Sequence, residues 1–507
     1  MTTTQARSFP LVALVLVFAV VAIDARVVIG GKTWSDPRYH VEVAPSRLAA
    51  AEIVQGGNWP AWWEGTGLGV PLAAEPTHGA MYPPTWIAAT PHALDLVTIA
   101  HLAWAAIGMA LWARRRLTAR GSTGTRSTDA RSSGASEPAA VVAALLVISS
   151  GLFASLAIRG ALPAVAHLPW IGFASAWLAD AAERRTRAHA TALLGMVIGL
   201  VALSGVLAGL LDAIAIAIVI GGRRHSARHL AIAIGAGLAI GLAQWLPALL
   251  HLGDAMGVET AGLVRSRLVE LIVPGSFGAS DADRAVTAVA GDRAWAPSLF
   301  VGATLFALAA VRTPARRVLG LVGALATLVL VLGFVGWPWW LGAPEIHLAA
   351  LVVVLAANAG EGLDALLAGE RRAILALGVG GLCTAIALGA FGALRAKHPE
   401  AEAAIDRALL DGGLGVLCVA VALVLVWRAP KHGMPFVLAL LVLPGVGARP
   451  SIAPVTDRAV VDKPAVWAAA AIGRERGTLA PMRVYRPMYM HEGAQDAADA
   501  VATLAGT

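Results

Sequence analysis

Apolar residues along this chain do not alternate as in strands, nor do they form the narrow stripe of a soluble helix. They fall in long runs parted by short joins marked with proline, glycine or charge. Runs of helix length occupy roughly 10–29, 92–113, 139–157, 169–182, 188–204, 205–221, 229–250, 297–312, 317–336, 345–367, 372–391, 412–428 and 434–448. The pattern predicts an all-α polytopic membrane protein of about thirteen transmembrane helices, the shorter ones tilted or packed inside the bundle. The stretch 188–221 reads either as one broken helix or as a hairpin. A multi-spanning domain over 1–448 is followed by a polar tail, 449–507.

Composition agrees with the pattern. The chain is 58% hydrophobic and 14% charged, against roughly 25% charged in ordinary soluble domains. That excludes a soluble enzyme, a disordered protein and a nucleic-acid binder. The formal charge of +7 is accounted for by where the arginines lie. Arg114–Arg116, Arg120, Arg126 and Arg131 occupy one loop, and Arg184, Arg185 and Arg187 the second loop after it. Arg223, Arg224 and Arg228, then Arg312, Arg316 and Arg317, then Arg371 and Arg372, then Arg428 and Lys431 keep the same parity, with Arg7. Positive loops stay inside. The N-terminus is therefore expected in the cytoplasm and the C-terminus outside it, in a bacterial inner membrane. The first run is too long for a signal peptide and lacks a small-x-small cleavage site, so it reads as an uncleaved helix. Cys383 and Cys418 lie in apolar runs without a CxxC partner and read as buried, inert thiols.

Three external segments are long: 30–91, 251–296 and 449–507. The cytoplasmic 117–138, rich in Ser, Thr, Gly and Arg, reads as disordered. In 392–411, AEAAIDRALL reads as an amphipathic helix. The first external loop carries the richest chemistry. Asp36 follows the first span, with Arg38, His40 and Glu42 beside it. An amphipathic segment at 45–55 is expected to lie at the interface. Trp59, Trp62 and Trp63 suit the interface too, and His78 and Tyr82 precede the second span.

The order of these features resembles the YfhO-like membrane proteins, within the GT-C glycosyltransferase architecture. The resemblance rests on Asp36, Gly57-Asn58-Trp59-Pro60-Ala61-Trp62, Gly69-Val70-Pro71-Leu72 and Tyr82-Pro83-Pro84. It continues in His167-Leu168-Pro169-Trp170, Pro274-Gly275-Ser276-Phe277-Gly278 and Pro344-Glu345-Ile346-His347, over about 10–490. Asp36 follows Trp34-Ser35 where that family often has a glycine. The chain also stops soon after Arg483–Pro487, where family members continue into a larger domain, which suggests a short variant or an incomplete reading frame.

The resemblance implies sugar transfer from a polyprenyl-phosphate donor to an extracytoplasmic glycan or lipid-glycan acceptor. A carboxylate at the membrane edge suits removal of the acceptor proton, and Asp36 is the candidate; the plain alternative is an ion pair with Arg38 or Lys32. The leaving phosphate needs cations. Arg159, Arg265 and Arg267 are candidates, with lipid headgroup contact as the alternative. Arg38, His78, Tyr82, Glu345 and His347 could shape the same cavity. A divalent metal on Asp36, His78 and Glu345 is chemically conceivable, but no ligand spacing supports it, and no cofactor is otherwise implied. Asp212 sits in an apolar run and is expected to face a cavity, a partner or the outer edge; Asp24 is expected to reach the interface. Gly205, Gly209, Gly237 and Gly241 read as close helix packing. The competing functions are a transporter or flippase of lipid-linked sugars, and a scaffold that has lost activity.

Overall fold

The computed structural model describes residues 3–36, 39–63, 71–121, 132–222, 225–250, 265–273, 298–311, 343–395, 399, 402–428 and 434–458. Helices dominate them. The first run is α1 (Thr3–Ile23), with a short α2 (Ala25–Val28). The first loop then folds into β1 (Lys32–Trp34), a π-helical turn (Tyr39–Val43), α3 (Ala44–Gln55), a 3-10 turn (Pro76–His78) and α4 (Pro83–Trp86).

The second span is α5 (Pro91–Gly121). Thr90 starts it: its hydroxyl accepts from the Ala93 N–H and Pro91 takes the first helical position, a combination that fits a helix start. Next come α6 (Ser132–Ile148) and α7 (Gly151–Ile158). Their axes are bent by 50° at the break between them, where the Ser150 hydroxyl caps α7 through Phe153 N–H at 3.3 Å.

Short α8 (Leu162–Val165) leads into α9 (Leu168–Asp180), α10 (Arg184–Leu203), α11 (Leu207–Gly221) and α12 (Ala227–Leu250). A 3-10 turn (Arg265–Leu271) precedes α13 (Ala303–Val311), α14 (Pro344–Leu367), α15 (Arg371–Leu394), α16 (Glu402–Arg428) and α17 (Met434–Ile452). Strand β2 (Val455–Asp457) ends the described chain and pairs antiparallel with β1, Thr33 opposite Thr456.

Among the described residues, seven helices are long and apolar enough to cross a membrane, or eight if the bent α6–α7 pair counts as one span. Pro10–Ile23, Leu207–Gly221 and Pro435–Arg449 are shorter apolar helices. The chain is an all-α, multi-pass membrane protein, and a total of about thirteen spans is consistent with these helices. The predicted run 317–336 lies outside the described residues.

The uncertain 188–221 stretch is two helices. They are parted at Gly205, whose φ of +77° favours glycine. A Cβ there would also lie 1.6 Å from the Pro76 carbonyl oxygen. So this glycine serves a turn beneath the first loop rather than helix packing. Gly209, Gly237 and Gly241 do let helices approach closely, against Ala164, Ile198 and Ala202.

The core centres on α14, whose membrane-length window is wholly buried. Gly362 sits against the Leu308 carbonyl of α13, where a Cβ would come within 2.1 Å. By contrast, only 28% of the membrane-length windows of α12 and α15, and 33% of that of α16, is buried. Their exposed Leu375, Val379, Ile386, Leu417 and Trp427 are the outward face expected in lipid.

At the bundle end opposite the first loop, Arg114 pairs with Glu137, Arg115 with Asp180 and Arg116 with Glu361. Arg114, Arg115 and Arg116 of the first arginine-rich join therefore lie at one end of α5, and the first loop leads into its other end.

Four further expectations change. Helix enters the 117–138 segment from both sides, to Gly121 and from Ser132, because α5 and α6 continue beyond their apolar windows. The stretch AEAAIDRALL is the first part of α16 rather than a separate helix. Cys383 is exposed on α15, and only Cys418 is buried. Asp24 does not reach solvent: it is buried and held by Arg449 at 2.9 Å.

Candidate functional site

Asp36 lies two residues beyond β1 and is almost wholly buried, at 1% exposure. Its carboxylate pairs with the Arg159 guanidinium at 3.3 Å. Arg159 caps the C-terminus of α7, where the helix dipole favours a cation. The next residue, Gly160, has φ +75° and packs against Val43; its carbonyl accepts a hydrogen bond from Arg47 Nη2 of α3. One helix end thus presents a cation to Asp36 and a carbonyl to Arg47.

Arg47 is buried at 4% exposure, and among the described residues no carboxylate pairs with it. Burial pushes its pKa down from the usual guanidinium range. Tyr39, Tyr82 and His78 lie within its electrostatic reach. The sequence offered no sign of this. Arg47 stands in an amphipathic stretch, where an arginine ordinarily faces water.

The first loop is docked from below. Gln244 of α12, fully buried, accepts from the Met81 N–H at 3.0 Å and donates to the Ala73 carbonyl at 3.1 Å. Tyr82 then reaches into the bundle, its hydroxyl 2.6 Å from His101 Nε2 and 2.8 Å from His167 Nε2. The partners of the far ring nitrogens fix the tautomers. His101 Nδ1 faces the Val97 carbonyl at 2.6 Å and so carries a proton; His167 Nδ1 accepts from Trp104 Nε1 at 2.9 Å. Hence His167 donates to Tyr82, and Tyr82 donates to His101, in one directed chain. Burial pushes the Tyr82 hydroxyl far above its ordinary pKa, so it stays protonated. His78 is half-buried, and burial followed by the nearby Arg47 charge lowers its pKa, against the opposing pull of Glu75.

Tyr39 belongs to a third group. Its hydroxyl donates to Asp95 at 2.7 Å, and Arg458 holds the other Asp95 oxygen at 2.7 Å. Trp34 packs edge-on against the Tyr39 ring, centroids 5.3 Å apart.

The remaining candidates form a separate buried cluster at the start of α14. Arg267 makes a two-pronged contact with Glu270, at 2.9 and 3.0 Å, and reaches Glu345 at 3.4 Å. Burial opposes its charge, but the Glu270 and Glu345 carboxylates outweigh that and raise its pKa. His347 pairs with Asp212 of α11 at 2.8 Å. Asp212 therefore has a partner, as a charge in an apolar run requires.

The structure thus joins Asp36 to Arg159, Tyr82 to two histidines, Arg267 to Glu345, and His347 to Asp212. Asp36, His78 and Glu345 do not gather round a metal position: no group of three or more ligating side chains occurs among the described residues. Asp36 and Glu345 are each engaged by an arginine instead. Arg38, the side chain of Arg265 and the Pro274–Gly278 element lie outside the described residues. Of the tryptophans, Trp59 and Trp62 are exposed and Trp59 contacts Trp86.

Sequence reasoning missed Arg47, His101, Trp104, Glu270, Asp95 and Arg458. The signal for His101 was present, a histidine inside an apolar run. For Arg47 and Arg458 it was not.

No protein-family model and no curated protein matches the chain by sequence. In fold it is similar to the crystal structure of ArnT from Cupriavidus metallidurans bound to undecaprenyl phosphate. The match has a TM-score of 0.51 and 14% identity, and covers 89% of this chain and 77% of that one. The similarity is one of fold, and it agrees with the many-helix membrane architecture expected from the sequence.

Proposed function

We propose that this protein is a membrane glycosyltransferase that moves a sugar from a polyprenyl-phosphate donor to an acceptor hydroxyl outside the cytoplasm. The observation that carries the reading is Arg47: a buried cation that no carboxylate pairs with among the described residues, bonded to the Gly160 carbonyl next to the Arg159 that holds the buried Asp36. An uncompensated buried charge is costly, and a ligand phosphate would supply the missing anion. Arg159 and Arg267, the earlier candidates, already face carboxylates, so the phosphate role passes to Arg47.

In the proposed step Asp36 takes the proton of the acceptor hydroxyl as its oxygen attacks the anomeric carbon. The bond from that carbon to the phosphate oxygen breaks, and the electron pair leaves with the phosphate. Arg47 holds the charge that grows there, and Arg159 holds Asp36 in place. The undecaprenyl phosphate bound by the similar structure supports a lipid phosphate as ligand, and the YfhO-like motifs support a cell-envelope acceptor. Arg114–Arg116, at the end of α5 away from the first loop, support an extracytoplasmic site.

The test is transfer of label from a panel of radiolabelled polyprenyl-phosphate sugars in membranes containing the protein. Transfer by wild type and its loss in an equally expressed Asp36→Asn variant are expected. Equal transfer by both would remove Asp36 from the role of base.

A second reading, proton-coupled transport of a lipid-linked sugar, draws on the buried Asp212–His347 pair. Movement of intact donor across the bilayer, abolished in Asp212→Asn, would favour it.

A further inference from the structure

The stretch that carries Asp36, from Gly31 to Asp36, is held by residues more than four hundred positions away. β2 pairs with β1 at Lys32–Asp457, Thr33–Thr456 and Trp34–Val455. Just beyond the strand, the Ser35 N–H donates to the Pro454 carbonyl at 2.9 Å. At the other end, the Arg458 N–H donates to the Gly31 carbonyl at 3.1 Å. Its side chain gives one hydrogen bond to the Lys32 carbonyl at 3.0 Å and one to Asp95 at 2.7 Å. Asp95 in turn accepts from Tyr39, three residues beyond Asp36. Arg458 thus grips the loop on both sides of Asp36, through the backbone before it and through Asp95 and Tyr39 after it. A two-stranded pair is marginal on its own, so the side-chain grip matters to its persistence.

We infer that Arg458 is a positioning residue: the segment Val455–Arg458 clasps the Asp36 loop and sets where that carboxylate stands. Asp95 is the relay, because its two oxygens join Arg458 to Tyr39. The chain's later part therefore governs the site built by its first loop. The consequence for sugar transfer rests on the function proposed above, whereas the ordering of the loop does not.

Hydrogen–deuterium exchange of the full chain tests the ordering. In Arg458→Ala, exchange over 33–36 is expected to rise about tenfold or more, the scale of losing charge-assisted hydrogen bonds. Exchange in α5 and α6 is expected to hold. Cys383→Ala and Cys418→Ala, with Thr33→Cys and Thr456→Cys, allow a disulfide across the directly opposed pair. Oxidised in the Arg458→Ala chain, that lock is expected to restore protection at 34–36. Unchanged exchange at 33–36 in Arg458→Ala would overturn the inference. So would a uniform rise throughout the protein, which marks a general stabilising role. If Arg458→Ala does not fold unlocked, the locked chain decides, and fast exchange there at 34–36 overturns the clasp.

The transfer assay reads positioning separately. The maximal rate is expected to fall in Arg458→Ala with the donor KM held, and to recover in the locked chain. An equal, unrescued loss in both constants would refute positioning. If wild type transfers nothing, the proposed function fails while the exchange result stands.

Discussion

The Asp24–Arg449 pair offers a stability prediction with a worked magnitude. Asp24 stands between α1 and α2, and Arg449 lies in the last turn of α17. Their side chains are 5% and 6% exposed. Arg449 Nη2 meets the two Asp24 oxygens at 3.1 and 2.9 Å, and Nε meets the first at 3.3 Å. Removing one partner leaves the other as an unpaired buried charge, which costs about 3–5 kcal/mol. Removing both, with Asp24→Leu and Arg449→Met, removes that penalty; such replacements are often neutral or better. Each single variant is therefore expected to lose about 3–5 kcal/mol, and the double variant less than either. Equilibrium unfolding in mixed micelles reads this cycle through tryptophan fluorescence, with sixteen tryptophans in the chain. Single losses below about 1 kcal/mol, the worth of an exposed pair, would refute the reasoning. So would losses that simply add in the double variant.

Tyr82→Phe removes the hydroxyl between His101 and His167 and leaves both Nε2 atoms without it. A loss of about 1–3 kcal/mol per orphaned buried group is expected, read as a lower unfolding midpoint in detergent; an unchanged midpoint would contradict the chain of bonds. His78 predicts a pH effect. Its folded pKa lies below the unfolded value of about 6.5, so the unfolded chain binds more protons as pH falls from there. Stability is then lost on acidification from about pH 6.5 towards the folded value, and His78→Gln is expected to flatten that part of the curve. A parallel curve for the variant would count against it.

The spans were legible because a bilayer demands about twenty apolar residues at a time, and α14 begins one residue from its predicted start. Asp36 and Tyr82 were legible as polar residues in the loop between the first two spans, and both prove buried. Their partners were not. Asp24 with Arg449 and Asp95 with Arg458 join residues 425 and 363 positions apart, and no local pattern carries such pairings. Arg47 stayed hidden for another reason. A short helix rich in small residues, such as Ala49, Ala50 and Ala51, resembles a surface helix until the loop is seen folded over it.

The most direct test of the proposed site is equilibrium binding of a labelled polyprenyl phosphate to the purified protein. Wild type, Arg47→Gln and Asp36→Asn would be compared. If Arg47 receives the phosphate, Arg47→Gln weakens binding at least about tenfold, the scale of a charge-assisted bond, while Asp36→Asn still binds. Binding by Arg47→Gln equal to wild type would contradict the assignment.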